Sequence, residues 1–186
     1  MTFILYGLAS VYLRYSAKEI VTKPTFTEII SQINAAPTLP KGLKDTYSQV
    51  YPDIFNTSFN EALLSSILNK QREPVPSRQL GSWFWMRVGG SENGLMRHLN
   101  FAGFIWSVED NVTQEKCFEY YVSRFDFTNK AIGMYAASQK FYHKPLDSLT
   151  YDEQLGMILM LKNPAYYNKL RYPDRFQIGI NKLKKQ

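Results

Sequence analysis

One stretch limits the folds open to this chain: Thr150-Tyr151-Asp152-Glu153, an apolar run from Leu155 to Leu161, then Pro164. Thr followed three residues later by Glu is a capping-box pattern, in which each side chain takes the other's free backbone N–H. Proline lacks an N–H and restricts the residue before it, so Pro164 stops the helix. Upstream, Cys117, Phe118, Tyr121, Val122 and Phe125 recur at helical spacing behind Thr113, a candidate N-cap. After a break at 126–129, Ala131, Ile132, Tyr135, Ala136 and Phe141 predict a further helix, and Pro145 and Asp147-Ser148 punctuate the chain after it. Short helices joined by short polar connectors predict a mainly α fold with little sheet.

The rest of the chain agrees. Residues 27–33 predict a helix, followed by a loop at Pro37, Pro40 and Gly42. Thr57 or Ser58 is placed to cap a helix over 59–70 with a stripe of Leu63, Leu64, Ile67 and Leu68. The Pro74–Pro76 stretch reads as a loop or subdomain boundary, and 95–109 as an apolar helix. Trp83, Phe84 and Trp85 are consecutive, so one helix face cannot bury all three; core packing is favoured over a sugar-stacking platform.

At 186 residues the chain is long enough for a single domain with a sizeable core. Its formal charge of +6 and pI near 9.3 suit an anionic partner, or serve solubility alone. No Arg/Lys block interleaved with aromatics points to nucleic acid. The lone Cys117 excludes an internal disulfide and a zinc cluster, and reads as packing. No metal site, cofactor loop or internal repeat is found, and the sequence sets no oligomeric state. Residues 1–13 are nearly all apolar yet too short to span a bilayer. They are expected to be a buried helix, a segment lying on the membrane surface, or the end of a spanning helix.

The central stretch resembles the family 51 glycosyltransferases, the peptidoglycan glycosyltransferase domains that polymerise lipid II. The family's Ser-Lys, Ile-Leu-Glu and Tyr-Leu-Asn appear as Thr113-Gln114, Cys117-Phe118-Glu119 and Tyr121-Val122-Ser123. Its Phe-Gly, Gly-Ile and Ala-Ala appear as Phe127-Thr128, Gly133-Met134 and Ala136-Ala137. Its Tyr-Phe-Gly-Lys appears as Phe141-Tyr142-His143-Lys144, its Leu-Thr-x-x-Glu as Leu149–Glu153, and its Pro-Tyr-Asn-Pro region as Lys162–Asn168. Gly89-Gly90-Ser91 is similar to the start of the family's Gly-Gly-Ser-Thr pattern, but a loop and helix start with Ser91 as N-cap explains it as well.

The resemblance implies a lysozyme-like helical domain over 19–186, with 1–18 as a membrane-proximal or anchor segment. It implies a bacterial cell-envelope location, membrane-associated with a periplasmic or extracellular domain, and a lipid-linked disaccharide or peptidoglycan as partner, with the membrane surface close by. Joining a sugar hydroxyl to a lipid pyrophosphate needs a base and groups that receive the developing charge. The family's Glu-Asp-x-x-Phe-x-x-His motif is not found; the one Glu-Asp pair is Glu109-Asp110. In the Arg-Lys-x-x-Glu motif, Arg97-His98 stands for Arg-Lys, Phe101 stands where the acid belongs, and Glu109 matches a further Glu. No catalytic residue is therefore assigned. Arg97, Glu109, Glu119 and Asn163 are the substrate-binding candidates; for the two glutamates, structural pairing with Arg or Lys is the favoured alternative to catalysis. Asp53, after a proline, reads as a helix-start or turn residue. The expected function is a divergent transglycosylase domain with weak or no polymerase activity. The alternatives are a non-catalytic envelope, glycan or lipid-binding module, and a lysozyme-like glycan hydrolase.

Overall fold

The computed structural model describes residues 11–17, 21–67, 74–88 and 94–185. Its elements are helices: α1 (11–17), α2 (Lys23–Asn34), α3 (Lys41–Val50), α4 (Phe59–Ile67), α5 (Pro76–Val88) and α6 (Leu95–Glu109). They continue with α7 (Gln114–Arg124), α8 (Met134–Tyr142), a 3-10 turn at Leu146–Ser148, α9 (Tyr151–Lys162) and α10 (Pro173–Leu183). Among the described residues β pairing is limited to one isolated bridge, Asp126 with Ile132. The fold is mainly α, as the sequence predicts.

The chain packs as two compact units. The first comprises Met1–Ala36 with Ile54–Phe118, the second Pro37–Asp53 with Glu119–Gln186. The division falls between Phe118 and Glu119.

In the first unit α6 is the buried element. Residues 103–108 are all buried, as expected of a helix packed on every side. Trp85 of α5 and Phe26 of α2 set their rings against Phe104 of α6, at centroid distances of 5.6 and 6.2 Å. α1 crosses α6 at Gly103, where a Cβ would lie 2.2 Å from the Leu13 carbonyl oxygen. Ser16 donates to buried Asn100, and Arg14 makes a two-pronged pair with Asp110 while stacking over Trp106. Val11, Tyr12 and Tyr15 face outward. α4 opens with a reciprocal box, in which Ser58 N–H donates to Glu61 and Glu61 N–H to Ser58 Oγ. The stripe expected on α4 is not a core face: Leu63 and Leu64 are exposed. Leu68, and the Gly89-Gly90-Ser91 motif, lie outside the described residues. α6 begins at Leu95, preceded by Gly94 at φ 72°.

In the second unit α9 is central. Residues 155–160 are all buried, with α3, α8 and α10 against them. The capping box is present in full: Thr150 Oγ1 accepts from Glu153 N–H and the Glu153 carboxylate accepts from Thr150 N–H. Thr113 likewise caps α7, accepting from Lys116 N–H at 3.2 Å. Gly42 lies within α3 rather than in a loop, and Asp53 sits in the turns that follow α3, at φ 62°.

The helix expected from Ala131 begins at Met134, and its buried face is Met134, Ala137, Ser138 and Phe141. Ile132, Tyr135 and Ala136 are exposed. The displacement has a cause. Thr128, Asn129 and Lys130 have φ of 68°, 53° and 65°, a run of left-handed backbone incompatible with helix. Gly133, at φ 83°, then turns the chain so closely past Ser123 that a Cβ would lie 2.5 Å from its carbonyl oxygen. Buried Asn168 holds the loop by donating to Thr128 Oγ1, while its own oxygen caps Leu170 and Arg171 N–H.

Candidate functional site

The chemistry-bearing residues of the first unit lie along α6. Phe101, in the register of an acid, is half-buried, with its ring edge-on to Phe59 at 6.5 Å and to Trp85 at 6.0 Å. The Phe101 ring packs among aromatic rings and itself has no proton to exchange. Arg97 and His98, one turn earlier, are exposed.

Glu109, at the end of α6, is built into a polar cluster. Its Oε1 accepts from Phe59 N–H at 2.9 Å, Ser77 Oγ at 2.7 Å and Gln114 Nε2 at 2.6 Å. Phe59 and Ser77 stand in the first turns of α4 and α5, so one carboxylate takes up donors at two helix starts, where negative charge is favoured. Gln114 closes the ring, with Oε1 accepting from Ser77 N–H and Nε2 donating to Ser77 Oγ. All three bonds to Glu109 reach Oε1; Oε2 takes none among the described residues. Burial pushes the Glu109 carboxyl above the usual carboxylate range, against the opposing effect of its three donors. Cys117 is buried, and burial with the nearby Glu109 charge pushes its thiol up to about 12, so it serves packing and is not a nucleophile.

The other two candidates belong to the second unit. Glu119 is 1% exposed; its Oε1 accepts from Leu39 N–H at 3.1 Å and faces Lys44 Nζ at 3.4 Å. Asn163, after α9, accepts through Oδ1 from Tyr166 N–H and through its carbonyl from Tyr167 N–H, which caps the turn past Pro164. Glu109 and Glu119 are separated along the chain by residues 110–113, which are not helical.

Ser77 and Gln114 are not among the binding candidates that the sequence offers. A partial signal exists: Gln114 stands where the resembled family has lysine. Among the described residues, no group of His, Cys, Asp or Glu is arranged to hold a metal ion.

Comparison with known proteins supports the resemblance. The family model described as transglycosylase matches residues 83–185, more than half of the chain. Penicillin-binding protein 1A of Pseudomonas aeruginosa is 31% identical over 85 residues, which is 46% of this chain and 10% of that protein. A biosynthetic peptidoglycan transglycosylase of Acinetobacter baylyi is 28% identical over 87 residues, covering 47% of this chain and 39% of its own length. Penicillin-binding protein 4 of Bacillus subtilis is 29% identical over 83 residues, covering 45% and 13%. The matched part of this chain thus spans from a tenth to two fifths of these relatives. The helical, lysozyme-like domain type that the resemblance implies fits the fold described above. The chain belongs to the transglycosylase family.

Proposed function

We propose that this chain is a divergent transglycosylase domain of the bacterial cell envelope, directed at a lipid-linked disaccharide or at peptidoglycan, that no longer polymerises glycan. The observation that carries this is Phe101. It stands in the register of a family acid, ringed by Phe59 and Trp85, and has no proton to give or take. The earlier Glu-Asp motif is missing as well. In this reading the domain spans 19–186 and retains a binding role for glycan, lipid or an envelope protein, with Arg97, Glu109 and Asn163 as candidate contacts; Glu119, 1% exposed, is too buried to be one. Residues 1–18 are its membrane-proximal segment. No helix of the described residues is long and apolar enough to cross a membrane. The support for contact is the apolar run at 1–13, which lies mostly outside the described residues, and the outward Val11, Tyr12 and Tyr15.

The experiment is lipid II polymerisation by the purified chain. No product is expected, and Phe101→Glu alone restores none. Product formation by the unaltered chain, lost on replacing Glu109, Glu119 or Asp53, would show that the acid had moved elsewhere. Deleting residues 1–13 should release the protein from membranes, and unchanged partitioning would sink that part of the reading.

One observation favours a second reading, a glycan hydrolase. Glu109 combines a raised pKa with an unengaged Oε2, properties of a general acid. Turnover of peptidoglycan that disappears in Glu109→Gln would establish it.

A further inference from the structure

Charge is divided unevenly between the two units. The second holds thirteen Lys and Arg against eight Asp and Glu, the first nine against eight, so the second carries nearly all of the net +6. Within it, α10 buries Phe176, Gly179, Ile180 and Leu183 against its own unit. Its opposite face is a stripe of Arg175, Ile178 and Lys182, spaced so that successive members fall on one side of the helix, and Lys185 follows in the turn just past its end. Arg171 stands two residues before the helix.

These cations differ from others in the unit. Lys41, Lys44, Lys144 and Lys184 face Asp45, Glu119, Glu153 and Asp152. Arg171, Arg175, Lys182 and Lys185 have no carboxylate within ion-pair distance among the described residues. Asp174 borders the stripe but pairs with none of them. Arg175 is nonetheless held in place: its guanidinium lies over the Tyr166 ring at 4.2 Å and the Tyr172 ring at 4.6 Å. Stacking fixes the cation while leaving its charge unneutralised. Between the cations, Ile178 is 56% exposed, and Leu170, just before Arg171, is 55% exposed.

We propose that this outward face of α10, with Arg171 and Leu170, docks on an anionic phospholipid surface. Uncompensated cations spread along one helix face match a plane of phosphates, and isolated aliphatic side chains among them can enter the headgroup boundary. Lys and Arg supply the attraction, while Ile178 and Leu170 supply an apolar contact that a soluble polyanion would not need. The inference is independent of whether the chain polymerises glycan, and it concerns a surface separate from residues 1–18.

The test is flotation of the full chain with vesicles of phosphatidylcholine, with or without phosphatidylglycerol. Binding should rise with phosphatidylglycerol, fall with added salt, and drop about tenfold or more in Lys182→Glu/Lys185→Glu, at about one kilocalorie per basic residue near the surface. Both lysines are exposed and unpaired, so the variant should keep the parent's circular dichroism and melting temperature. Tyr12→Ser/Tyr15→Ser on α1 should leave the phosphatidylglycerol-dependent increment intact. Ile178→Ser should weaken binding without changing its salt dependence. Equal binding to both vesicle types, or an increment that survives the charge reversal, overturns the proposal. So does failure on vesicles together with salt-sensitive capture by polyglutamate, which would assign the face to an acidic protein partner.

Discussion

Gln114 donates its side-chain amide to Glu109 Oε1 at 2.6 Å, across the break that separates α6 from α7. A neutral amide faces the carboxylate where the resembled family has a lysine. The carboxyl is therefore held by dipoles and helix starts instead of by a cation, and burial raises its pKa.

The first prediction concerns what that carboxyl does for folding. Glu109→Ala leaves Phe59 N–H, Ser77 Oγ and the Gln114 amide without their shared acceptor, and should cost about 2–4 kcal/mol in urea unfolding. Glu109→Gln keeps an acceptor oxygen and should be far milder.

The same residue sets a pH dependence. Because its folded pKa lies above the ordinary glutamate value, the folded state binds the proton more tightly than the unfolded state does. Its contribution is fully present below the unfolded pKa and is lost as pH rises through the raised folded pKa. Stability in Glu109→Gln should therefore fall less over that window than in the parent. Parallel pH profiles for the two proteins would contradict this.

Glu119→Ala should cost about 3 kcal/mol, because it removes the buried acceptor of Leu39 N–H and the carboxylate that faces Lys44. Restoration by Glu119→Gln of most of the loss would mark the Leu39 bond as the larger part; the two melting curves decide.

Two backbone positions give opposite signs. His143, directly after α8, has φ 55° in the left-handed region, where the resembled family has glycine. His143→Gly should raise stability by about 0.5–1 kcal/mol by relieving that conformation. Gly133→Ala should lower it by about 2 kcal/mol or more, since positive φ and the 2.5 Å approach to the Ser123 carbonyl act together. Thermal unfolding of the two variants reads both signs.

Phe101→Ala should cost about 2 kcal/mol: the ring is half-buried, so the loss falls below that of a fully buried phenylalanine. A loss near zero would mean that the Phe59 and Trp85 contacts do not stabilise the first unit.

Local chemistry made much of this fold legible. The α9 capping box and the Thr113 cap follow from side chains that satisfy backbone groups a few residues away, and the Pro164 stop from a missing N–H; such local effects are written in the sequence. The face that α8 buries was not legible, because it depends on the left-handed run at 128–130 and on Asn168, forty residues later, which holds Thr128. The exposure of Leu63 and Leu64 had the same character: periodicity fixes which residues share a face, but not whether anything covers it. The site divided in the same way. The sequence alone sets Phe101 in the register of an acid of the family that it resembles, since residue identity in register suffices. Tertiary structure alone decided that Glu109 is ringed by Phe59, Ser77 and Gln114, that Glu119 is buried against Leu39 and Lys44, and that Arg175 stacks on the Tyr166 and Tyr172 rings, because burial and hydrogen bonding between distant segments depend on packing that no local pattern encodes.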